Sequence, residues 1–368
     1  MTSFPILLNS DMSSCSEVNE FLRFYLLRAQ IESEGSWEPI SRSLYDYFGF
    51  LEAHGLEWND VNRGETKNLL AAYRDYCFET ATLARNTVIL RITYICEFYK
   101  YALRQGWLDT LPYQYERRHH VKPRSGFFAH LTAGNNAALG NSAVPRRHRS
   151  LIKFLSLEQA RLLLGAAANV HHAIIIRTGL LTGMRREELA TFPAAYVFDP
   201  GKSKDFGNNV SVTLDPTDGN GMRTKGSKPR VIYMDREVMR GLYRYKSLYR
   251  GERSSLTSDH HRNLFLNRDG QPFANAGKGL EAIVRNLGKS IGIHAHPHML
   301  RHTYATHTLH ALQQRTPRGR GIEPLVFLQR QLGHSSITMT MEYLHLIDQV
   351  ANEAALAYDE ELSFWKED

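Results

Sequence analysis

His171-His-Ala-Ile-Ile-Ile-Arg-Thr-Gly-Leu-Leu-Thr-Gly-Met-Arg-Arg-Glu-Glu-Leu189 is the stretch that decides how this 368-residue chain is read. From His171 to Leu181 it is strongly apolar and predicts a buried helix. Gly183 breaks that helix and lets the next one begin with Arg185 exposed in a cleft. Glu188 lies three residues on, so it can orient Arg185 along one helix face. An arginine there can hold two oxygens of an oxyanion in its planar fork, which lysine does less well. Taken alone, the fragment also reads as a surface Arg–Glu helix pair.

Working outward, Ser156-Leu-Glu-Gln159 is a capping-box pattern opening a helix with Ala160, Leu163 and Leu164 on one side. Asn209-Val-Ser-Val-Thr-Leu-Asp215 alternates like a strand, and Pro229-Arg-Val-Ile-Tyr-Met-Asp235 reads as its hairpin partner. Gly219, Gly221 and Gly226 make the connection a loop, and beyond Arg236 the pattern is mostly helical. The connection carries Thr224-Lys225-Gly-Ser-Lys228-Pro-Arg230. A flexible hairpin lysine can deliver a proton to a leaving oxygen. Lys225, Lys228 and Arg230 equally read as solvated turn charges, and chemistry alone does not choose among them.

Further on, His298-Met-Leu-Arg301 puts an imidazole and a guanidinium on one helix face. His302 points about 100° further round than Arg301 and reads as a packing or capping histidine. Leu332-Gly-His334-Ser335 and Met341-Glu-Tyr343-Leu-His345 follow. The nine residues from His334 to Tyr343 (343 − 334) would put the two on opposite faces of one unbroken helix, at about 100° per step. They share a site only if the chain breaks between them. Gly333, with Ser335-Ser336 as caps, supplies the break and puts Tyr343 on a short separate helix. His294, His296 and His298 alternate, with His302, His307 and His310 after them. No well-spaced acid or cysteine accompanies them and HExxH is absent, so neither a metal nor another cofactor is expected.

Composition bounds the rest. Hydrophobic residues at 42% and charged residues at 23% are ordinary for a soluble globular protein, and the length suffices for two domains. The net charge of +7 favours a polyanionic partner such as nucleic acid. Cys15, Cys77 and Cys96 form no CxxC pair, which suits a reducing cytosol, and no run approaches the length of a membrane helix. The N-terminus is a poor signal peptide, so the expected location is cytoplasmic and nucleoid-associated.

Residues 16 to 107 read as a helical unit, with helices opening at Ser16, near Ile40, near Thr66 and near Thr87. Their aromatics read as core rather than base-stacking platforms, while Arg85, Arg91, Lys100 and Arg104 face either DNA or water. From 112 to 153 the chain lacks periodicity and carries Arg117, Arg118, Lys122, Arg124, Arg146, Arg147, Arg149 and Lys153 against Glu116. It reads as a basic linker with an insertion at 125–145, suited to following a duplex backbone or simply solvated. The expected architecture is mostly α with a small antiparallel β-sheet (α+β). A helical domain spans 1–111, the linker 112–153, and a mixed domain with a tail helix 154–368.

Thr182-Gly-Met-Arg185, His298-Met-Leu-Arg-His302, Leu332-Gly-His334 and the following tyrosine together resemble the tyrosine recombinase (phage integrase) family. The helix ending Phe98-Tyr-Lys-Tyr-Ala-Leu-Arg-Gln-Gly106 is similar to the last helix of that family's N-terminal domain. The resemblance implies a core-binding domain followed by a catalytic domain that breaks and rejoins double-stranded DNA without metal or ATP. In that scheme Tyr343 attacks the scissile phosphate, forming a 3′-phosphotyrosyl link and freeing a 5′-hydroxyl. Arg185 and Arg301 clamp the phosphate, His334 bonds it, His298 assists proton transfer and Lys225 is the general acid. It further implies a tetramer on two DNA sites. The tail from Ala351 to Asp368, helical in pattern with Leu356 and Phe364-Trp365 apolar, is expected to pack on a neighbouring subunit, the alternative being a tail folded back on its own domain. A monomeric type IB topoisomerase and a catalytically silent DNA-binding protein are the alternatives. Two departures stand out: a lengthened hairpin from Asp215 to Met222, and an insertion at 313–321 carrying Arg315, Arg318 and Arg320.

Overall fold

The computed structural model describes residues 4–28, 34–64, 68–119, 137–146, 152–202, 209–315, 323–344 and 346. The chain divides into two units, Met1–Ser150 and Leu151–Asp368. Lys122, Arg124, Arg147 and Arg149, the basic run of 316–321 and the expected tail helix lie outside the described residues.

Helical periodicity builds the first unit. α1 (Ser16–Leu27) buries Val18, Phe21, Leu22 and Leu26, and α2 (Trp37–Ala53) buries Ile40, Leu44, Tyr47 and Leu51. α3 (Leu69–Glu79) is capped by the Asn68 side chain, and α4 (Arg85–Arg104) runs through the core they share. Buried aromatic hydroxyls need partners. Tyr47 and Tyr99 bond each other at 2.7 Å, and the Tyr99 hydroxyl donates to the Trp58 carbonyl at 2.8 Å. These aromatics are therefore core, as expected, while Tyr45 on α2 is exposed. The four basic residues singled out are held by the unit itself. Arg91 pairs with Asp46, Lys100 with Glu97, Arg104 lies over the Phe24 and Tyr101 rings, and Arg85 over Phe78.

The stretch read as linker is partly ordered into this unit. β1 (Tyr115–His119) pairs antiparallel with β2 (Ala137–Asn141), Tyr115 opposite Asn141. Alternation did not flag these strands because each is short and β2, Ala-Ala-Leu-Gly-Asn, lacks β-branched residues.

In the second unit the Ser156 capping box opens α5 (Leu157–Ala166), with Ser156 and Gln159 bonded reciprocally. α6 (Val170–Thr182) is buried on most sides and packs against α11 (Pro297–Arg315). α7 (Arg186–Thr191) follows at once. β3 (Asn209–Leu214) and β4 (Arg230–Asp235) form the expected antiparallel hairpin, Asn209 opposite Asp235. Val210, Val212 and Leu214 face Ile232 and Met234 on the buried side, with α8 (Arg236–Leu248) beyond. Each such side chain contributes about 1.5–3 kcal/mol by leaving water. α9 (Arg250–Ser254) and α10 (Ala274–Ser290) complete the body. α12 (Pro324–Leu332) packs on β4, and α13 (Ile337–Met341) packs on α12. No helix among the described residues is long and apolar enough to cross a membrane.

Candidate active site

Two left-handed glycines set the site. Gly183 ends α6 at φ +64°, and a Cβ there would meet the Tyr304 ring at 2.5 Å. Gly333 ends α12 at φ +62°, and a Cβ there would meet Arg230 Cδ at 2.5 Å. Left-handed backbone disfavours a side chain in any case, so both positions call for glycine twice over.

Gly183 delivers Arg185 to the N-terminus of α7. Its backbone N–H donates to Glu188 Oε2 at 2.7 Å, and its Nη1 donates to Glu188 Oε1 at 3.0 Å. Its Nη2 reaches the Gly333 carbonyl at 2.9 Å. Arg301, only 1% exposed on α11, donates Nη1 to the Gly183 carbonyl at 2.8 Å and Nη2 to the Leu332 carbonyl at 2.6 Å. Arg230 donates Nη2 to Glu188 Oε2 at 2.6 Å and Nη1 to the Gln331 carbonyl. Three consecutive carbonyls at the end of α12 thus each accept from a different guanidinium. A helix C-terminus leaves such carbonyls unsatisfied and carries partial negative charge, so it is a natural holder for cations. Gln331 fixes that end in place. Its amide accepts from the Tyr233 N–H at 2.8 Å and donates to the Tyr233 carbonyl at 2.9 Å and the Thr182 carbonyl at 3.3 Å.

Electrostatics follow from this crowding. Burial alone would raise the Glu188 pKa, but Arg230 and Arg185 outweigh it and hold the carboxyl below its usual range. Burial, then repulsion from Arg185, lowers Arg301 to about 9, which leaves it charged at neutral pH. Three guanidiniums against one carboxylate leave an excess of positive charge, and the neighbouring histidines respond by staying neutral. His298 keeps an exposed edge, yet desolvation followed by the charge of Arg301 lowers it to about 4. Burial and then Arg301 lower His334 to about 3. Burial and then His298 and Arg301 lower His302 to about 3.

Tyr343 sits within this set and is 2% exposed. Its ring lies parallel to that of His334, 4° between planes and 6.2 Å between centroids. The expected chain break is there: Gly333 ends α12, and the Ser336 side chain caps α13 by accepting from the Thr338 N–H at 3.2 Å. Tyr343 itself lies in a turn just past α13 rather than on it, because that helix closes at Met341. Burial raises the phenol to about 12, although Arg301 and Arg185 pull the other way.

Arg185, Arg301, His298, His334 and Tyr343 therefore converge. Lys225 lies on the exposed hairpin turn Lys225–Ser227, and its charge registers at His298. In the basic segment, Arg117 and Arg118 fall in β1 with side chains outside the described residues. Arg146 is exposed, and its carbonyl accepts from Arg85 at 3.1 Å. Among the described residues no group of three or more His, Cys, Asp or Glu side chains is placed to hold a metal ion.

Two residues went unassigned on the sequence alone. His302 is no mere packing residue: its Nδ1 lies 2.8 Å from the Tyr343 hydroxyl, and its ring lies 4.3 Å from that of His298. The signal was its spacing from His298, four residues and one helical turn, rather than its angle from Arg301. Arg230 is no solvated turn charge. Strand alternation puts it on the side of Ile232 and Met234, and its side chain is 9% exposed.

The family model described as "Phage integrase family" matches residues 153–349, more than half of the chain. The chain belongs to the phage integrase family. Among relatives of this family member, the tyrosine recombinase XerC of Lacticaseibacillus casei (strain BL23) is 25% identical over 326 residues, covering 86% of this chain and 91% of that protein. The fold is similar to that of the XerH site-specific recombinase bound to a palindromic difH substrate in a post-cleavage complex. There the TM-score is 0.57 at 18% identity, with 96% of this chain and 92% of that chain covered. A lambda integrase tetramer bound to a Holliday junction matches at TM-score 0.52 and 13% identity, over 89% of this chain and 76% of that chain.

Proposed function

We propose that this chain is a site-specific DNA recombinase that cleaves and rejoins DNA through a 3′-phosphotyrosyl intermediate at Tyr343. The observation that carries the reading is a tyrosine phenol enclosed by an excess of guanidinium charge. A phenol with its pKa raised is a poor nucleophile until cations stabilise the charge developing on its oxygen and on the phosphorane. Arg185 and Arg301 supply those cations. The incoming phosphodiester charge favours protonation of His334, so that His334 donates to a phosphate oxygen, while His298 stays neutral and assists proton transfer. The Tyr343 oxygen bonds to phosphorus as the bond to the 5′ oxygen breaks. The phenolic proton passes to neutral His298, and the 5′ oxygen takes one up from Lys225 as general acid. The phosphodiester energy stays in the phosphotyrosyl link, so rejoining needs no ATP, and the guanidiniums supply the charge stabilisation that a metal gives elsewhere.

The reading extends to a homotetramer on two duplexes, with the tail from Ala351 reaching a neighbouring subunit. The similar lambda integrase solved as a tetramer on a Holliday junction supports the tetramer. The first unit and the basic segment, including Arg117, Arg118, Lys122, Arg124, Arg146, Arg147 and Arg149, would track the DNA backbone.

The test uses a pool of nicked duplexes with a randomised core, in which a cleaved strand's short fragment diffuses away and traps the covalent complex. Wild-type protein is expected to give an SDS-resistant adduct whose recovered DNA converges on a common sequence, and Tyr343→Phe to give none. An adduct persisting in the Phe variant overturns the nucleophile assignment.

A further inference from the structure

Outside the proposed clamp and proton carriers, one side chain touches the reacting atom. We propose that His302 is a positioning residue for the nucleophile, its Nδ1 accepting a hydrogen bond from the Tyr343 hydroxyl and fixing where the hydroxyl oxygen points. The proposal rests on the reading of Tyr343 as nucleophile.

The geometry comes from the helix. His302 sits one turn beyond His298 on α11, so the two rings share a face and meet edge-on, 4.3 Å apart at 70°. The helix is anchored on either side of His302, because Arg301 bonds carbonyls of Gly183 and Leu332 and the Thr303 hydroxyl accepts from the Leu155 N–H at 2.9 Å. The half-buried His302 ring has little room to turn, and its Nδ1 lies 2.8 Å from the Tyr343 hydroxyl, a normal length for such a bond. The roles within that bond follow from charge. The groups around His302 are His298, Arg301, His296 and His334, all of which disfavour its protonation, and burial disfavours it further. Burial also keeps Tyr343 a phenol. The phenol is the stronger acid and the imidazole nitrogen the stronger base of the pair, which favours acceptance at Nδ1 with the His302 hydrogen on Nε2. With the proton directed at Nδ1, the oxygen lone pairs are directed away from His302. A tyrosine just past a five-residue helix, with two rotatable side-chain angles, has no other fixed point at its hydroxyl among the described residues.

The experiment compares His302→Asn, His302→Gln and His302→Phe on one nicked duplex recovered by the wild-type protein from the randomised pool. Asn Oδ1, like Nδ1, is one bond from Cγ and can take the same proton; Gln Oε1 sits one bond further out. Single-turnover formation of the covalent adduct is expected to fall on the order of 100-fold in the Phe and Gln variants. The Asn variant is expected to stay within about tenfold of wild type, and all three to bind the duplex with unchanged affinity. Asn and Gln disturb the fold alike, so a folding defect lowers both. Adduct formation at or above the wild-type rate in the Phe variant, or equal loss with Asn and Gln, overturns the proposal. A spectroscopic arm needs no DNA. The ¹⁵N shifts of His302 should report an Nε2–H tautomer in the wild type, with its Nδ1 signal moving in Tyr343→Phe; an Nδ1–H tautomer overturns the proposal. If Tyr343→Phe still forms adduct, the nucleophile reading fails, while the tautomer result stands as evidence on the hydrogen bond alone.

Discussion

Glu188→Gln is the perturbation on which the site's construction depends most. The carboxylate is 1% exposed and accepts three bonds, from the Arg185 backbone N–H, Arg185 Nη1 and Arg230 Nη2. Glutamine keeps the shape and one acceptor oxygen, but it turns an NH₂ group toward a guanidinium and removes the negative charge. Breaking a buried pair by removing one partner costs about 3–5 kcal/mol, because the other charge stays buried. One retained oxygen argues for the lower end, so we expect about 3 kcal/mol. For a unit of this size that is a fall of roughly 6–12 °C in the midpoint, at about 2–4 °C per kcal/mol. The assay is calorimetry on the full chain, following the transition assigned to the second unit. A cycle with Arg230→Gln sharpens it: removing both partners should cost less than the sum of the single changes by more than about 1 kcal/mol. Additivity within about 0.5 kcal/mol would mean that the pair does not interact as the structure has it, and the account of the cation cluster would fall with it.

Two further outcomes follow from the same geometry. Gly333→Ala forces a left-handed residue to carry a Cβ and drives it onto Arg230 Cδ. The combined cost is about 2–4 kcal/mol in denaturant unfolding, and adduct formation should fall as well; a loss under about 1 kcal/mol contradicts the packing. The histidines predict a pH dependence. The folded values of His298, His302 and His334, about 4, about 3 and about 3, lie below their ordinary 6.5, so the unfolded chain binds more protons in acid. Their contribution to DNA-free stability is therefore full above pH 6.5 and lost as pH falls through those values; an unfolding midpoint that does not move between about pH 7.5 and about pH 5 contradicts it.

The fold was legible wherever periodicity was long or the punctuation strict. The capping box at Ser156, the apolar run closed by Gly183 and the period-two hairpin of 209–215 with 229–235 all announced themselves. So did the break at Gly333, since His334 and Tyr343 could not otherwise meet. The β1–β2 ladder was not legible, because its strands are brief and join residues far apart in sequence with no apolar alternation to mark them. Of the candidate site, Arg185, His298, Arg301, His334 and Tyr343, which the structure brings together, were named from type and order.

What could not be read was the support beneath them, and that has a physical cause. Arg230 resembles a turn charge until its strand parity turns it inward, where an uncompensated guanidinium would be costly. Glu188 then has to serve two arginines rather than the single neighbour that spacing suggests. The end of α12 has to accept from three, since its carbonyls lack partners of their own. Arginine suits that work because its planar fork has two edges. In Arg185 and Arg301 each terminal nitrogen bonds a different protein acceptor, which fixes the guanidinium plane, whereas a lysine ammonium rotates about its last bond and has no plane to fix. Tertiary contacts of this kind join segments 42 to 148 residues apart. No local pattern encodes them, yet they decide where Arg185 and Arg301 point.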